Sequence, residues 1–168
     1  GLPQLKRQTH SIVLIGNFNP IIFQPAWFGA EGLIQKKETE GAKVEIIHPD
    51  VVIFSLEWLR LEITRERVAV STMQEPYEEI IRDLVLGTFK LLRYTPITKM
   101  GINRDMRFLM ESEEKWHAVG HKLAPKELWK GVLEIPGIRS LTMEESNRRD
   151  GLKGYIRVKI EPSIDVHP

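Results

Sequence analysis

Trp58-Leu59-Arg60-Leu61-Glu62-Ile63-Thr64, then Arg65-Glu66, then Arg67-Val68-Ala69-Val70-Ser71-Thr72, is the stretch that decides the fold class. Leu59, Leu61 and Ile63 alternate with Arg60 and Glu62, and Val68, Val70 and Thr72 repeat the pattern on the return. A period of two puts one set of side chains on a dry face and the other in water, which is the signature of half-buried strands. Arg65-Glu66 reads as the hairpin tip between them. Upstream, Val51 to Leu56 is a further run behind the turn signal His48-Pro49-Asp50, and Val44-Glu45-Ile46-Ile47 precedes that turn. Consecutive strands of this kind joined by tight turns form an antiparallel meander. Ser11 to Gly16 adds a buried strand ending at a glycine.

Downstream the period changes. Pro76 to Arg93 is the strongest helix, with Pro76 in its first turn, Glu75, Glu78 and Glu79 at the positive end of the dipole, and Lys90 and Arg93 at the other. Tyr77, Ile80, Ile81, Leu84, Val85, Thr88, Phe89, Leu91 and Leu92 cover most of its circumference, so the helix is expected to be covered on most sides. Gly87 at its centre weakens it unless a neighbour approaches closely. Thr95-Pro96 ends it, because the residue before proline avoids helical angles. Ile97 to Met110 reads as a long strand or hairpin, and Glu111 to Leu123 as a second helix capped by Ser112. Ile138–Met143 and Tyr155–Glu161 read as closing strands around a charged loop. The expected fold is one α+β domain over residues 1–168: a strongly bent antiparallel sheet of six to eight strands gripping the helix at about 76–93, with the helix at about 111–123 outside. The abrupt end of the last strand in Pro162 to Pro168 leaves room for a natural continuation.

Composition narrows the function. The chain has 168 residues, 24 Lys plus Arg, 23 Asp plus Glu, a formal net charge of +1 and no cysteine. Near-balanced charge gives no global pull toward nucleic acid. Without cysteine there is no disulfide, thiolate nucleophile or cysteine-type zinc site. No signal peptide or membrane-length apolar run is legible, so the cytoplasm is the default compartment and no membrane contact is expected. Phosphate-loop, dinucleotide-binding and nucleophile-elbow motifs are missing, and no cofactor is implied.

One segment carries a family likeness. Leu86-Gly-Thr-Phe-Lys-Leu-Leu-Arg-Tyr-Thr-Pro-Ile-Thr-Lys-Met-Gly-Ile-Asn-Arg-Asp-Met-Arg-Phe108 resembles the signature stretch of a sporadically distributed family of uncharacterised prokaryotic proteins: Leu-Leu, two residues, Thr-Pro, then Gly-Ile-Asn. The Ile-His-Pro and Glu-Trp-Leu-Arg segments are similar to it as well. The resemblance implies no particular activity and transfers no catalytic residue.

Four constellations hold possible chemistry. In Met100 to Phe108, Arg104 falls on the same strand face as Met100, Ile102, Met106 and Phe108. A buried unpaired guanidinium is expensive, so a bulge or turn within Asn103–Asp105 is expected, with Arg104 in solvent or on a carboxylate. The functional reading is a displayed Arg104, with Arg107 nearby, that grips a phosphate or carboxylate; the structural reading, in which bulge and turn chemistry alone accounts for these residues, is favoured. His117 and His121 share a helical face with Glu113 or Glu114, the geometry of a two-His-plus-carboxylate site. Trp116, Val119 and Leu123 define the core side, and no further ligand is evident, so no metal is assigned. Tyr155, Arg157 and Lys159 lie on one face of the last strand, where an aromatic and basic residues can stack bases and hold phosphates. Trp27 and Phe28 lead an apolar, Pro- and Gly-punctuated segment, Phe18 to Ile34, that is either core cover or docking surface. His10, His48 and His167 are isolated.

The leading expectation is a non-catalytic binding module acting through protein–protein contact, with a protein partner or self-association and a place in a larger assembly. A nucleic-acid-associated protein using Arg104, Arg107 and the Tyr155–Lys159 face is the alternative. A metal-dependent enzyme using His117 and His121 is the second alternative.

Overall fold

Strand pairing organises the molecule, described by a computed structural model over residues 2–163. Six strands form one open, bent antiparallel sheet: β1 (Gln4–Gly16), β2 (Lys43–His48), β3 (Val51–Ser55), β4 (Arg60–Thr64), β5 (Arg67–Thr72) and β6 (Ile97–Leu109), in spatial order β2-β3-β4-β5-β1-β6. The meander β2 to β5 follows the alternation in the sequence. Phe54 pairs with Leu61, and Ile63 with Val68, and all four are buried. β1 then docks antiparallel on β5, setting Leu14 opposite Val68, Ile12 opposite Val70 and His10 opposite Thr72, so every buried position of β1 meets a buried position of β5. Matching dry faces in this way is what sets the register, because a slip of one residue would turn every apolar side chain outward.

α3 (Tyr77–Leu91) follows β5 and lies on this face. It buries Ile81, Leu84, Val85 and Thr88 along one stripe, with Phe89 and Leu92 packed against the core. The all-round coverage expected of this helix is absent: Leu86 is 63% exposed and Leu91 49%. The helix meets the sheet from one side only, so a single stripe suffices. Pro76 stands at the N-cap in extended geometry rather than in the first turn, after a cis Glu75–Pro76 bond. The close approach that Gly87 requires is Leu33, whose Cδ2 lies 2.9 Å from where a Cβ would stand. At Gly16 a Cβ would run into the Pro96 carbonyl oxygen.

Phe18 to Ile34 closes the core through a short 3-10 turn (Pro20–Ile22) and α1 (Pro25–Ala30), followed by α2 (Lys36–Glu40). Phe18, Phe23, Phe28, Phe54 and Phe89 make a chain of tilted and edge-on ring contacts. Such geometries add to the burial energy of the rings. α2 is tied back by a bond from Trp58 Nε1 to Glu38 Oε1 of 2.8 Å. The void among Phe23, Phe28, Leu61, Leu84 and Val85 is only about 10 Å³, so the core is filled.

The rest of the chain contains α4 (Glu113–Leu123), whose Ser112 hydroxyl caps the Lys115 amide at 3.3 Å, a 3-10 turn (Lys126–Trp129), β7 (Leu141–Glu145) and β8 (Ile156–Ile160). The closing strands expected for the main sheet instead pair only with each other, as a separate two-stranded sheet. Strands consecutive in sequence usually lie side by side. The described residues fall into two compact units, 7–106 and a second one made of 2–6 with 107–163. The division cuts through β1 and β6 rather than a linker, so no change of composition marks it.

Edge strand β2 is exposed along its whole length and carries a register shift between Val44 and Ile46. Glu45 at that shift reaches Arg60 Nη1 at 2.6 Å, two strands away. Hydrogen bonding and attraction from Arg60 hold the Glu45 carboxyl below its ordinary 4.5. A lowered folded-state value means the pair's contribution is present above the unfolded value and is lost as pH falls through the folded one. NMR titration of Glu45 should show the depression, and Arg60→Met should return it to the ordinary range. Leu84→Ala, a large-to-small change in the filled core, should cost about 2–5 kcal/mol in urea melts.

Candidate functional site

β1, the N-terminal turn of α3 and β6 build a recess. Its volume is about 530 Å³ and its walls are Gln8, His10, Glu75, Pro76, Tyr77, Glu78, Glu79 and Arg104. Gln8 and His10 precede Ile12 and Leu14 on the same face of β1, beyond the point where apolar residues fill it. His10 is 4% exposed and stacks on Tyr77, with ring centroids 4.7 Å apart and planes 12° off parallel.

Hydrogen bonding orients the polar groups. The Gln8 amide is placed with its oxygen toward Arg104, because the opposite orientation would turn its NH2 onto donors. Gln8 Oε1 then accepts from Arg104 Nε and Nη2, both at 2.9 Å, and from His10 Nε2 at 2.6 Å. The other ring nitrogen, His10 Nδ1, faces Glu78 Oε1 at 3.6 Å. Among the described residues Arg104 has no carboxylate within ion-pair distance, and Glu75 and Glu79 have no cation.

Of the two environments expected for Arg104, solvent or a carboxylate, the structure shows solvent. β6 is one strand from Ile97 to Leu109, and Arg104 is exposed on it. The parity conflict dissolves because the apolar neighbours are exposed too: Met100 by 64%, Ile102 by 68%, Met106 and Phe108 by 44% each. β6 is the end strand of the sheet, and this face of it is not a core face, so the guanidinium is never desolvated. Arg107, on the other parity, is half-buried.

The remaining candidates separate. Phe28 is 1% exposed and Trp27 packs against the core, so this pair is core cover and offers no free docking surface. Arg157 lies over the Tyr155 ring at 4.5 Å and donates to Glu144 Oε2 at 2.8 Å, while Lys159 pairs with Glu161 at 2.7 Å. Each of these two cations already has its anion. His117 faces Glu113 at 3.5 Å, and among the described residues no three His, Asp or Glu side chains converge as a metal site would require. His48 faces Asp50 at 3.7 Å beside the β2–β3 turn, and His167 lies outside the described residues. No described helix is long and apolar enough to cross a membrane.

The sequence gives Gln8, His10, Tyr77 and Glu78 no site role: His10 reads as isolated, Tyr77 as helix core and Glu78 as a helix-start acid. The signal was there: Gln8, His10, Ile12 and Leu14 keep period two, so extending the strand back from Ser11 places the histidine on the core face. No protein-family model, curated protein or solved structure matches the chain.

Because Arg104 is exposed, Arg104→Met should leave stability within about 0.5 kcal/mol of the parent in denaturant melts.

Proposed function

We propose that the protein is a non-catalytic binding module that acts through protein–protein contact as a subunit of a larger assembly, in the cytoplasm. The observation that carries this reading is the β7–β8 hairpin. Its register puts Met143 opposite Val158, Leu141 opposite Ile160 and Glu145 opposite Ile156. Met143 is 65% exposed, Val158 57%, Ile156 55% and Ile160 42%, so one face of a two-stranded sheet is apolar and uncovered. A hairpin of two strands is marginal in water by itself, and contiguous exposed apolar surface is characteristic of association sites. The opposite face holds the Glu144–Arg157 and Lys159–Glu161 pairs and is suited to water. Among the described residues of 107–163 no side chain is buried, while Leu128, Val132 and Ile135 are more than four-fifths exposed. This part of the chain gains most from being covered by a partner.

The internal neutralisation of Arg157 and Lys159 argues against a phosphate-binding face, as does the net charge. The full-length protein purified from its native host should carry a partner, or sediment as an oligomer, and Met143→Asp with Val158→Asp should abolish the association without changing the melt of the main sheet. A parent protein that purifies alone and sediments as a monomer would overturn the reading. Submicromolar binding to random single-stranded DNA at physiological salt, lost with Arg157→Ala and Lys159→Ala, would favour nucleic acid instead.

A further inference from the structure

The recess on Arg7–Met106 holds opposite charges that do not satisfy each other. On one wall Gln8 takes Nε and Nη2 of Arg104, which fixes the guanidinium plane and leaves its Nη1 edge without a protein acceptor among the described residues. That edge has the fork geometry that receives a carboxylate. On another wall stand Glu75, Glu78 and Glu79. Their place at the start of α3 suits the helix dipole, which explains why acids occur there. Of the three, Glu78 alone has a neighbour among the described residues with which it could pair, His10 Nδ1 at 3.6 Å, beyond hydrogen-bond distance. Between the walls, the stacked His10 and Tyr77 rings supply a flat, largely apolar surface.

From this pattern we propose that the recess binds a ligand carrying a carboxylate and an alkylammonium together. The carboxylate seats on the Nη1 edge of Arg104, and the ammonium seats against Glu78 and its acidic neighbours, with the connecting carbons over the His10–Tyr77 pair. A ligand of a single sign leaves one wall unmatched and is repelled or ignored by the other. The His10–Gln8–Arg104 chain of bonds makes the site pre-formed: the buried histidine holds the amide, and the amide holds the guanidinium. The same ligand chemistry comes from a small free zwitterion or from neighbouring side chains of a peptide. This proposal does not rest on the β7–β8 surface.

Isothermal titration of the full chain tests the proposal with four probes: free lysine, acetyl-Lys-Ala-Glu-amide, acetyl-Lys-Ala-Gln-amide and acetyl-Gln-Ala-Glu-amide. The doubly charged peptide, free lysine or both should bind at least about tenfold tighter than either singly charged peptide, equivalent to about 1.4 kcal/mol. Tighter binding of free lysine identifies a small zwitterion, and tighter binding of the doubly charged peptide identifies a protein segment. Arg104→Met should erase the preference for the Glu-containing probe, and Glu78→Gln with Glu79→Gln the preference for the Lys-containing one. Both variants alter exposed side chains, and their melts provide the folding control. Equal affinity for all four probes, no heat from any at millimolar concentration, or full discrimination retained in Arg104→Met would overturn the proposal. Met143→Asp with Val158→Asp should leave these titrations unchanged, so failure here and failure of the hairpin surface are told apart.

Discussion

The pairing of β1 with β5 is the contact on which the rest of the architecture depends. Leu14, Ile12 and His10 meet Val68, Val70 and Thr72 across it, which extends the meander's dry face by one strand. α3 then has a surface wide enough to bury Ile81, Leu84 and Val85. The same pairing leaves the far edge of β1 open for β6, held near Gly16 by the Asn17 amide donating to Pro96 at 2.9 Å and the Thr98 hydroxyl donating to Ile15 at 3.2 Å. Antiparallel progress from there brings Arg104 to Gln8. The recess is thus a consequence of register: where apolar residues on β1 give way to His10 and Gln8, the core ends and a polar wall begins.

Several exposed ions outside the recess are matched locally: Arg60 with Glu45, Arg65 with Asp50, Arg148 with Asp150 and Arg157 with Glu144. Exposed pairs of this sort contribute little stability each and are screened by salt. In the recess the Arg104 guanidinium and the Glu75, Glu78 and Glu79 carboxylates share one concavity without pairing with one another. No buried side-chain nitrogen or oxygen among the described residues lacks a hydrogen bond.

The meander was legible because its strands are half-buried, and half-burial writes itself as alternation. The Arg65-Glu66 tip, the 77–91 helix and the Ser112 cap follow from equally local chemistry. On β6 the row of Met100, Ile102, Met106 and Phe108 predicts a core face, yet all four are exposed. An apolar row on an end strand reads the same whether or not anything covers it. The long helix misled in the same way, since Leu86 and Leu91 are apolar and exposed. Hydrophobic residues point to burial less reliably than buried polar residues point to partners.

From the sequence alone came the α+β class, the antiparallel meander, the position of the core-facing helix and the suspicion attached to Arg104. Each rests on interactions between residues near one another in the chain, where periodicity and turn chemistry operate. Tertiary structure decided that β1 inserts between β5 and β6, that β7 and β8 pair apart from the main sheet, and that Gln8, His10, Tyr77, Glu78 and Arg104 share one recess. Those residues are separated by long stretches of chain, and no local pattern encodes their meeting. It arises when strands distant in sequence match dry face to dry face, because the free energy of burying that face is available only once all of them are in place.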